Sequence, residues 1–362
     1  MSLIDRLEKY CLTPAMAGFE EEMIKQLKAD LKDHVDEIRV DTLGNVIATI
    51  NGTASGKSDL MIFAHTDSLG MIVKGVEENG FIRIERVGGV PERILAATNV
   101  ILQPKPGEVI NGVIGFVSHH LTPPEDKYIV KPIGDCYVDI GATSATEVAA
   151  AGIRIGTPVL YRPSFERLLN NRVAATSLDD RGGCAVLVEL AHHFSKHRPE
   201  VTLHLVGTVQ EEFNLRGAMV AAQQIRPTAA ISIDLVAASD TPDIAGGNSV
   251  QVGAGAVVGT YTFHGRGTLN GLIPHPLLMS VIDEAAKSAK VELQRHATIG
   301  LLTDASYVQL VGDGVACADV AWPTRYTHSG VEVCSLDDLE DLRKLLITVV
   351  DTFPVEESFS RG

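Results

Sequence analysis

Two adjacent glutamates, Glu211 and Glu212, stand at the end of a β-rich run over residues 201–209. Successive side chains of a strand point in different directions, so neighbouring carboxylates there can divide two tasks, one holding a metal ion and one carrying a proton. The same pair also has an ordinary reading as a solvated turn. Other polar residues sit in comparable positions: His65 and Asp67 after the apolar run 60–64, Asp179 and Asp180 before a helical stretch, Asp234 after 229–233, and His328 beyond 315–320. Hard carboxylate oxygens and imidazole nitrogens are the donor set of zinc, cobalt or manganese hydrolases. A two-ion centre needs at least one bridging carboxylate, which this inventory can supply. Taken singly, each residue has a plainer role: His65 as a satisfied strand-end histidine, Asp179-Asp180-Arg181 as a helix cap with a surface ion pair, Asp234 as a turn cap, His328 as part of a loop.

These residues need elements that converge on one edge. Residues 60–64 are wholly apolar, as expected of a strand buried on both faces of an α/β sheet, and open α/β sheets keep their sites at the carboxyl ends of such strands. Helix-type spacing covers residues 3–32 with a break at Thr13-Pro14, then 182–194, 215–225, 274–290 and 336–353, the last capped by Ser335 with Asp337 and Asp338 in its first turn. A hairpin turned at Leu43-Gly44-Asn45 is expected over 38–50. Between Gly70 and Pro163 the texture changes to short β-type runs punctuated by glycine and proline, with one short helix near 145–151. The predicted architecture is a mixed α/β sheet sandwiched by helices, residues 1–69 and 164–362, interrupted by an all-β barrel or sandwich, residues 70–163.

Several motifs are missing, and this narrows the chemistry. The chain has no GxSxG elbow, no HExxH and no GxGxxG after a strand. Gly52-Thr53-Ala54-Ser55-Gly56-Lys57-Ser58 resembles a phosphate loop, but its glycine spacing is one residue short and it precedes a strand, so it reads as a surface turn. The 362 residues carry a net charge of -15 with no basic block, which argues against nucleic acid and anionic membranes as partners. The amino terminus lacks the apolar core of a signal peptide and no apolar run is long enough to span a bilayer, so a cytoplasmic protein is expected. The five cysteines are scattered without a CxxC pair, which suggests neither disulfides nor a thiolate metal site.

Together the runs Ala64-His65-Thr66-Asp67, Ser177-Leu178-Asp179-Asp180-Arg181, Gln210-Glu211-Glu212, Ile233-Asp234 and Pro323-Thr324-Arg325-Tyr326-Thr327-His328-Ser329 resemble the successive metal-site motifs of the glutamyl and deblocking aminopeptidase family, whose members include tetrahedral dodecamers. Gly88-Gly89-Val90 and Asp139-Ile140-Gly141-Ala142-Thr143-Ser144 look like family positions too. The resemblance implies two divalent ions per subunit, zinc or cobalt before manganese, with His65 and Asp234 on one, Glu212 and His328 on the other, and Asp179 bridging. It implies Glu211 as general base, and Asp67 as the acceptor that fixes the His65 tautomer. It implies peptide substrates and a homo-oligomer, with a dodecamer among the family's assemblies, in which the inserted β domain and His119-His120 are candidate contacts. Gly253 to Gly259 and Leu301-Leu302-Thr303-Asp304 are candidate pocket lining on the same grounds. One departure is Ser68, where the family commonly carries an acid. Alternatives are a metal-dependent deacylase or carboxypeptidase on the same scaffold, or a non-catalytic assembly protein.

Overall fold

In the computed structural model, which describes residues 1–54, 58–244, 250–265 and 269–361, the apolar runs lie side by side in one sheet. At its centre, Asp59–His65 runs parallel to Thr202–Thr208 on one side and to Ala229–Ala237 on the other. Ala316–Arg325 continues the parallel set beside Ala229–Ala237. Leu60, Ile62 and Ala64 join one core, with residues from the helices Leu3–Cys11, Glu21–Leu31, Leu178–Phe194, Pro276–Ala289 and Leu336–Asp351. Met61 and Phe63 join a second on the opposite face, under Gly217–Ile225 and Ala305–Val308. Covering both faces requires a strand with no polar side, which is why this run reads as uninterrupted apolar sequence.

The sheet is mixed. Its outer members, Glu37–Val40 paired with Val46–Ile50 and Arg172–Ala175 paired with Glu332–Ser335, are antiparallel. The first of these pairs is a hairpin, and it turns where Asp41 Oδ1 accepts from the backbone N–H groups of Leu43, Gly44 and Asn45. After Leu69 the chain leaves the sheet to form a closed barrel of Gly70–Val76, Ile82–Val87, Tyr137–Asp139, Ile110–Ile114, Asn99–Leu102 and Pro158–Tyr161. Alternate side chains such as Met71, Val73, Val100 and Val138 fill it as a separate core. The predicted Ser335 cap is present, its hydroxyl accepting from the Asp337 N–H.

The sequence reading assigned no elements to residues 256–263 or 293–299. They form the strands Ala256–Phe263 and Leu293–Ile299, which extend the sheet from Ala316–Arg325. The first is masked in sequence by the glycines around it, and the second, Leu-Gln-Arg-His-Ala-Thr-Ile, lies at an edge and keeps no apolar alternation. All five cysteines are free and buried. No helix among the described residues is long and apolar enough to cross a membrane. Residues 55–57 of the phosphate-loop look-alike lie outside the described residues.

Helix Leu178–Phe194 crosses the central strands through glycine. A Cβ at Gly182 would lie 2.5 Å from Cζ2 of the fully buried Trp322. Gly182→Ala is therefore expected to lower unfolding stability by about 1–3 kcal/mol through overpacking, measured by denaturant or thermal unfolding.

Candidate active site

The parallel register brings the polar strand ends together. His65 is the last residue of its strand and pairs with Thr208, so the chain leaving Thr208 delivers Glu211 and Glu212 beside it. Asp234 and Arg325 come from the neighbouring parallel pair, and His328 follows three residues after Arg325. The turns carrying these groups are tight. Ser177, Gln210, Asn214, Leu215, Tyr326 and His328 all hold positive φ between 55° and 69°, a region that non-glycine residues occupy at a cost and that clusters at functional sites.

Two sets of donor atoms result. His65, Asp179 and Asp234 form one and Asp179, Glu212 and His328 the other, with the ligand atoms within each set no more than 4.8 Å apart. Asp179 belongs to both. Its Oδ1 lies 2.9 Å from His65 Nε2 and its Oδ2 3.8 Å from His328 Nε2. The surface ion pair offered as an alternative for Asp179-Asp180-Arg181 does not form. All three residues are buried, and the Arg181 guanidinium donates inward to the carbonyl oxygens of Thr66, Thr13 and Ala15.

Electrostatics follow from the crowding. Burial, reinforced by neighbouring carboxylates, pushes Glu211, Glu212, Asp234 and Asp180 well above the usual carboxylate range. Asp179 goes the other way: burial raises it, but the hydrogen bond and charge of His65 hold it low. Burial would depress His65, yet its bonds to Asp179 and the neighbouring Asp67 raise it well above an ordinary imidazole. One oxygen of Glu212, Oε1, is buried without any hydrogen-bond partner. A buried carboxylate oxygen left alone is costly, and a cation among these donors would satisfy it.

Asp67 does more than the sequence suggested. Its carboxylate accepts from the backbone N–H groups of Glu211 and Glu212 at 3.1 and 3.0 Å, pinning the turn that presents both glutamates. Towards His65 the carboxylate is at 3.6 Å from Nδ1, while the backbone carbonyl of Asp67 is nearer, at 3.1 Å. Either contact favours a proton on Nδ1 and leaves Nε2 as the donor to a metal. Ser68 braces the amino-terminal segment, its hydroxyl donating to the Ala15 carbonyl.

The two donor sets open into a cavity of about 730 Å³ between sheet and barrel. Glu211 lines it with Asp179, Glu212, Asp234 and His328, and belongs to neither set. Gly88 and Gly89 line it from the barrel side. Of the expected lining, Leu301 and Leu302 are present. Gly253 to Gly259 are not among the lining residues; Gly253 and Gly255 donate their N–H groups to Asp338, and the strand Ala256–Phe263 begins directly after them. Thr303 and Asp304 lie buried behind the wall, Thr303 donating to Asp319 and Asp304 accepting from Thr208.

This arrangement has close counterparts among known proteins. The sequence model of the M42 glutamyl aminopeptidase family matches residues 44–345. The chain belongs to that family. It is 34% identical to the lysyl aminopeptidase of Pyrococcus furiosus over 94% of each chain. Among solved structures it superposes with a TM-score of 0.91 on aminopeptidase APDkam598 from Desulfurococcus kamchatkensis, at 32% identity and covering 98% of this chain and 96% of that one. The TET1 peptidase of Pyrococcus horikoshii, which can assemble into a tetrahedron or a large octahedral shell, matches with a TM-score of 0.85 at 29% identity, over 97% of this chain and all of the other. The protein is thus a peptidase of the M42 family, with the family's fold of helix-flanked mixed sheet and closed barrel.

Two contacts of this M42 centre escaped the sequence reading. Glu332, buried in a short strand, accepts from the Asp179 N–H at 3.1 Å through one oxygen, and from the His328 N–H at 3.0 Å and the Thr327 hydroxyl at 3.2 Å through the other. Burial and the adjacent Asp179 push its carboxyl up to about 8. The available signal was a glutamate embedded in the apolar run Val331-Glu332-Val333-Cys334. The second contact is main-chain: the carbonyl of Gly89, in the barrel, lies 3.1 Å from His328 Nδ1. A Cβ at Gly89 would sit 2.8 Å from that nitrogen. Glu332→Ala and Gly89→Ala are each expected to weaken divalent-ion binding about 10–100-fold, measured by calorimetric titration of the chelator-treated protein with zinc.

Proposed function

We propose that this chain is an aminopeptidase working with two divalent ions, His65 and Asp234 holding one, Glu212 and His328 the other, and Asp179 bridging. The observation that carries this reading is the sharing of Asp179 by two donor sets, with a further carboxylate, Glu211, in the same cavity and outside both. The partnerless oxygen of Glu212 and the crowding of carboxylates fit a cationic occupant. Their oxygen and imidazole donors suit zinc, cobalt or manganese. When bound, such ions supply Lewis acidity and fixed positive charge at the scissile carbonyl.

The protein's own groups do the rest. Glu211 takes a proton from the attacking water and passes it to the departing amine nitrogen, so that neither hydroxide nor an amide anion forms freely. Burial holds its carboxyl above the usual carboxylate range, as suits a group that must both take and give a proton. Asp67 fixes the turn that separates Glu211 from Glu212, and with its carbonyl orients the His65 ring. Glu332 holds the backbones of Asp179 and His328 at a set distance. The free amino end of a peptide enters the cavity beneath the barrel.

We further read the protein as a cytoplasmic homo-oligomer, with residues 70–163 as the domain that takes part in subunit contacts. In support, the exposed barrel loop carries Leu121, Tyr128, Ile129 and Val130 at 77, 94, 56 and 54% exposure, more apolar surface than a lone subunit usually presents in one segment. His119 and His120 lie on the same loop, both exposed.

Glu211→Gln should leave the bound-ion content unchanged and lower kcat by about 10²–10⁴-fold, read by metal analysis alongside release of amino-terminal residues from unblocked peptides. Retained turnover in this variant would remove Glu211 from the mechanism. Chelation should abolish cleavage, and readdition of zinc, cobalt or manganese should restore it.

A further inference from the structure

The family carries a glutamyl name and one relative a lysyl name, yet the cavity of this chain is built for neither charge. Resting on the aminopeptidase reading above, we infer that the first-residue pocket selects an uncharged, apolar side chain of leucine or methionine size.

The position of that side chain is constrained by bonding alone. In an aminopeptidase the free amine and the scissile carbonyl flank one α-carbon. With both held at the donor sets, the first side chain must meet the wall next to the ligands, and the remainder of the peptide runs toward the opening. That wall is largely apolar, with Asn214 and His264 as polar members. Phe213 follows Glu212 directly and Leu235 follows Asp234 directly. Leu215, Leu301 and Leu302 complete the surface between them. Leu235 and Leu215 are 6 and 3% exposed and so form a fixed floor, while Leu301 and Leu302 are half-buried and line the cavity.

Charged first residues lack a partner there. A glutamyl carboxylate would need a free cation on this wall. Among the described residues, Arg86 is the lysine or arginine lining the cavity, and it stands on the barrel side. Its side chain is 51% exposed and its guanidinium is 3.7 Å from Glu92. A lysyl ammonium would need a spare carboxylate, but the acids lining the cavity are Asp179, Glu211, Glu212 and Asp234, each assigned above to an ion or to proton transfer. Desolvating an unpaired charge against leucine and phenylalanine is unfavourable, whereas an alkyl or thioether chain gains by leaving water. Hydrophobic pockets discriminate modestly among apolar chains, and reject charged ones through the cost of burying an unpaired charge.

The test is a panel of leucyl, methionyl, glutamyl and lysyl p-nitroanilides with the ion-loaded full-length protein. Binding of the matching peptides to Glu211→Gln, which holds them uncut, is followed by calorimetry. Leucyl and methionyl substrates should exceed glutamyl and lysyl ones in kcat/KM by about ten-fold or more, with the same order in the binding constants. Leu301→Arg, which adds a cation to the wall, should raise the glutamyl-to-leucyl ratio by about ten-fold, with unchanged ion content showing that the centre is intact. Equal or better use of glutamyl or lysyl substrates overturns the inference while leaving the aminopeptidase reading in place. A glutamyl preference that Arg86→Ala removes would assign the pocket to Arg86 instead. If no unblocked amino-terminal residue is released or bound, the aminopeptidase reading fails and this inference fails with it.

Discussion

The arrangement of this protein turns on packing like charges into a space that water does not dilute. Asp67, Asp179, Asp180, Glu211, Glu212, Asp234 and Glu332 converge within one region, most of them buried. Two unit charges 4 Å apart cost about 4 kcal/mol at an effective dielectric of 20, so several such pairs would exceed the stability of an ordinary domain. The fold manages the problem with backbone donors. Asp67 takes two N–H groups, Glu332 takes two more and a hydroxyl, and Asp180 accepts from His65 and Gly183. Arg181 adds a cation buried at the edge of the cluster, braced on three carbonyls. What these devices leave over is concentrated on the two donor sets, and that remainder is what a pair of divalent ions would neutralise.

The same constraint explains the division between rigid and strained parts. The donors sit at the ends of strands whose registers are fixed by burial on both faces, so His65, Thr208 and Asp234 cannot slide without inverting a core. The connections beyond them carry the conformational cost, in the left-handed residues Gln210, Asn214, Leu215, Tyr326 and His328. A stiff sheet with tense turns holds side chains to tight tolerances, as a reaction requiring aligned groups demands. Phe213 and Leu235, which directly follow Glu212 and Asp234 and line the same cavity, inherit this rigidity.

Much of this was legible in the sequence, for a physical reason. Residues 60–64 are apolar because two helical layers cover them, and a polar residue just beyond such a run has few places to be except the strand end. His65, Asp179, Glu211, Glu212, Asp234 and His328 were singled out as candidates by that logic and by the order of the motifs, and the structure brings their side chains into one region. Glu332 was not, since it acts through the backbones of Asp179 and His328, and nothing in a one-dimensional pattern records which N–H a carboxylate caps. The contribution of Gly89 is a carbonyl oxygen, which every residue possesses, so its meaning exists only once the barrel is docked. Strand Leu293–Ile299 was missed because an edge strand needs no alternation to be stable when its partner supplies the pairing.

The contact between the Gly89 carbonyl and His328 also joins two cores that otherwise share little. The barrel has its own interior, filled by Met71, Val73, Val100 and Val138, distinct from that of the sheet. Thermodynamic linkage makes the coupling reciprocal. Were His328 to hold an ion as proposed, the factor by which a docked barrel tightened that grip would equal the factor by which the ion tightened the docking of the barrel. Ion occupancy would then act as a clasp, and neighbours that press on the barrel would be sensed at a single imidazole.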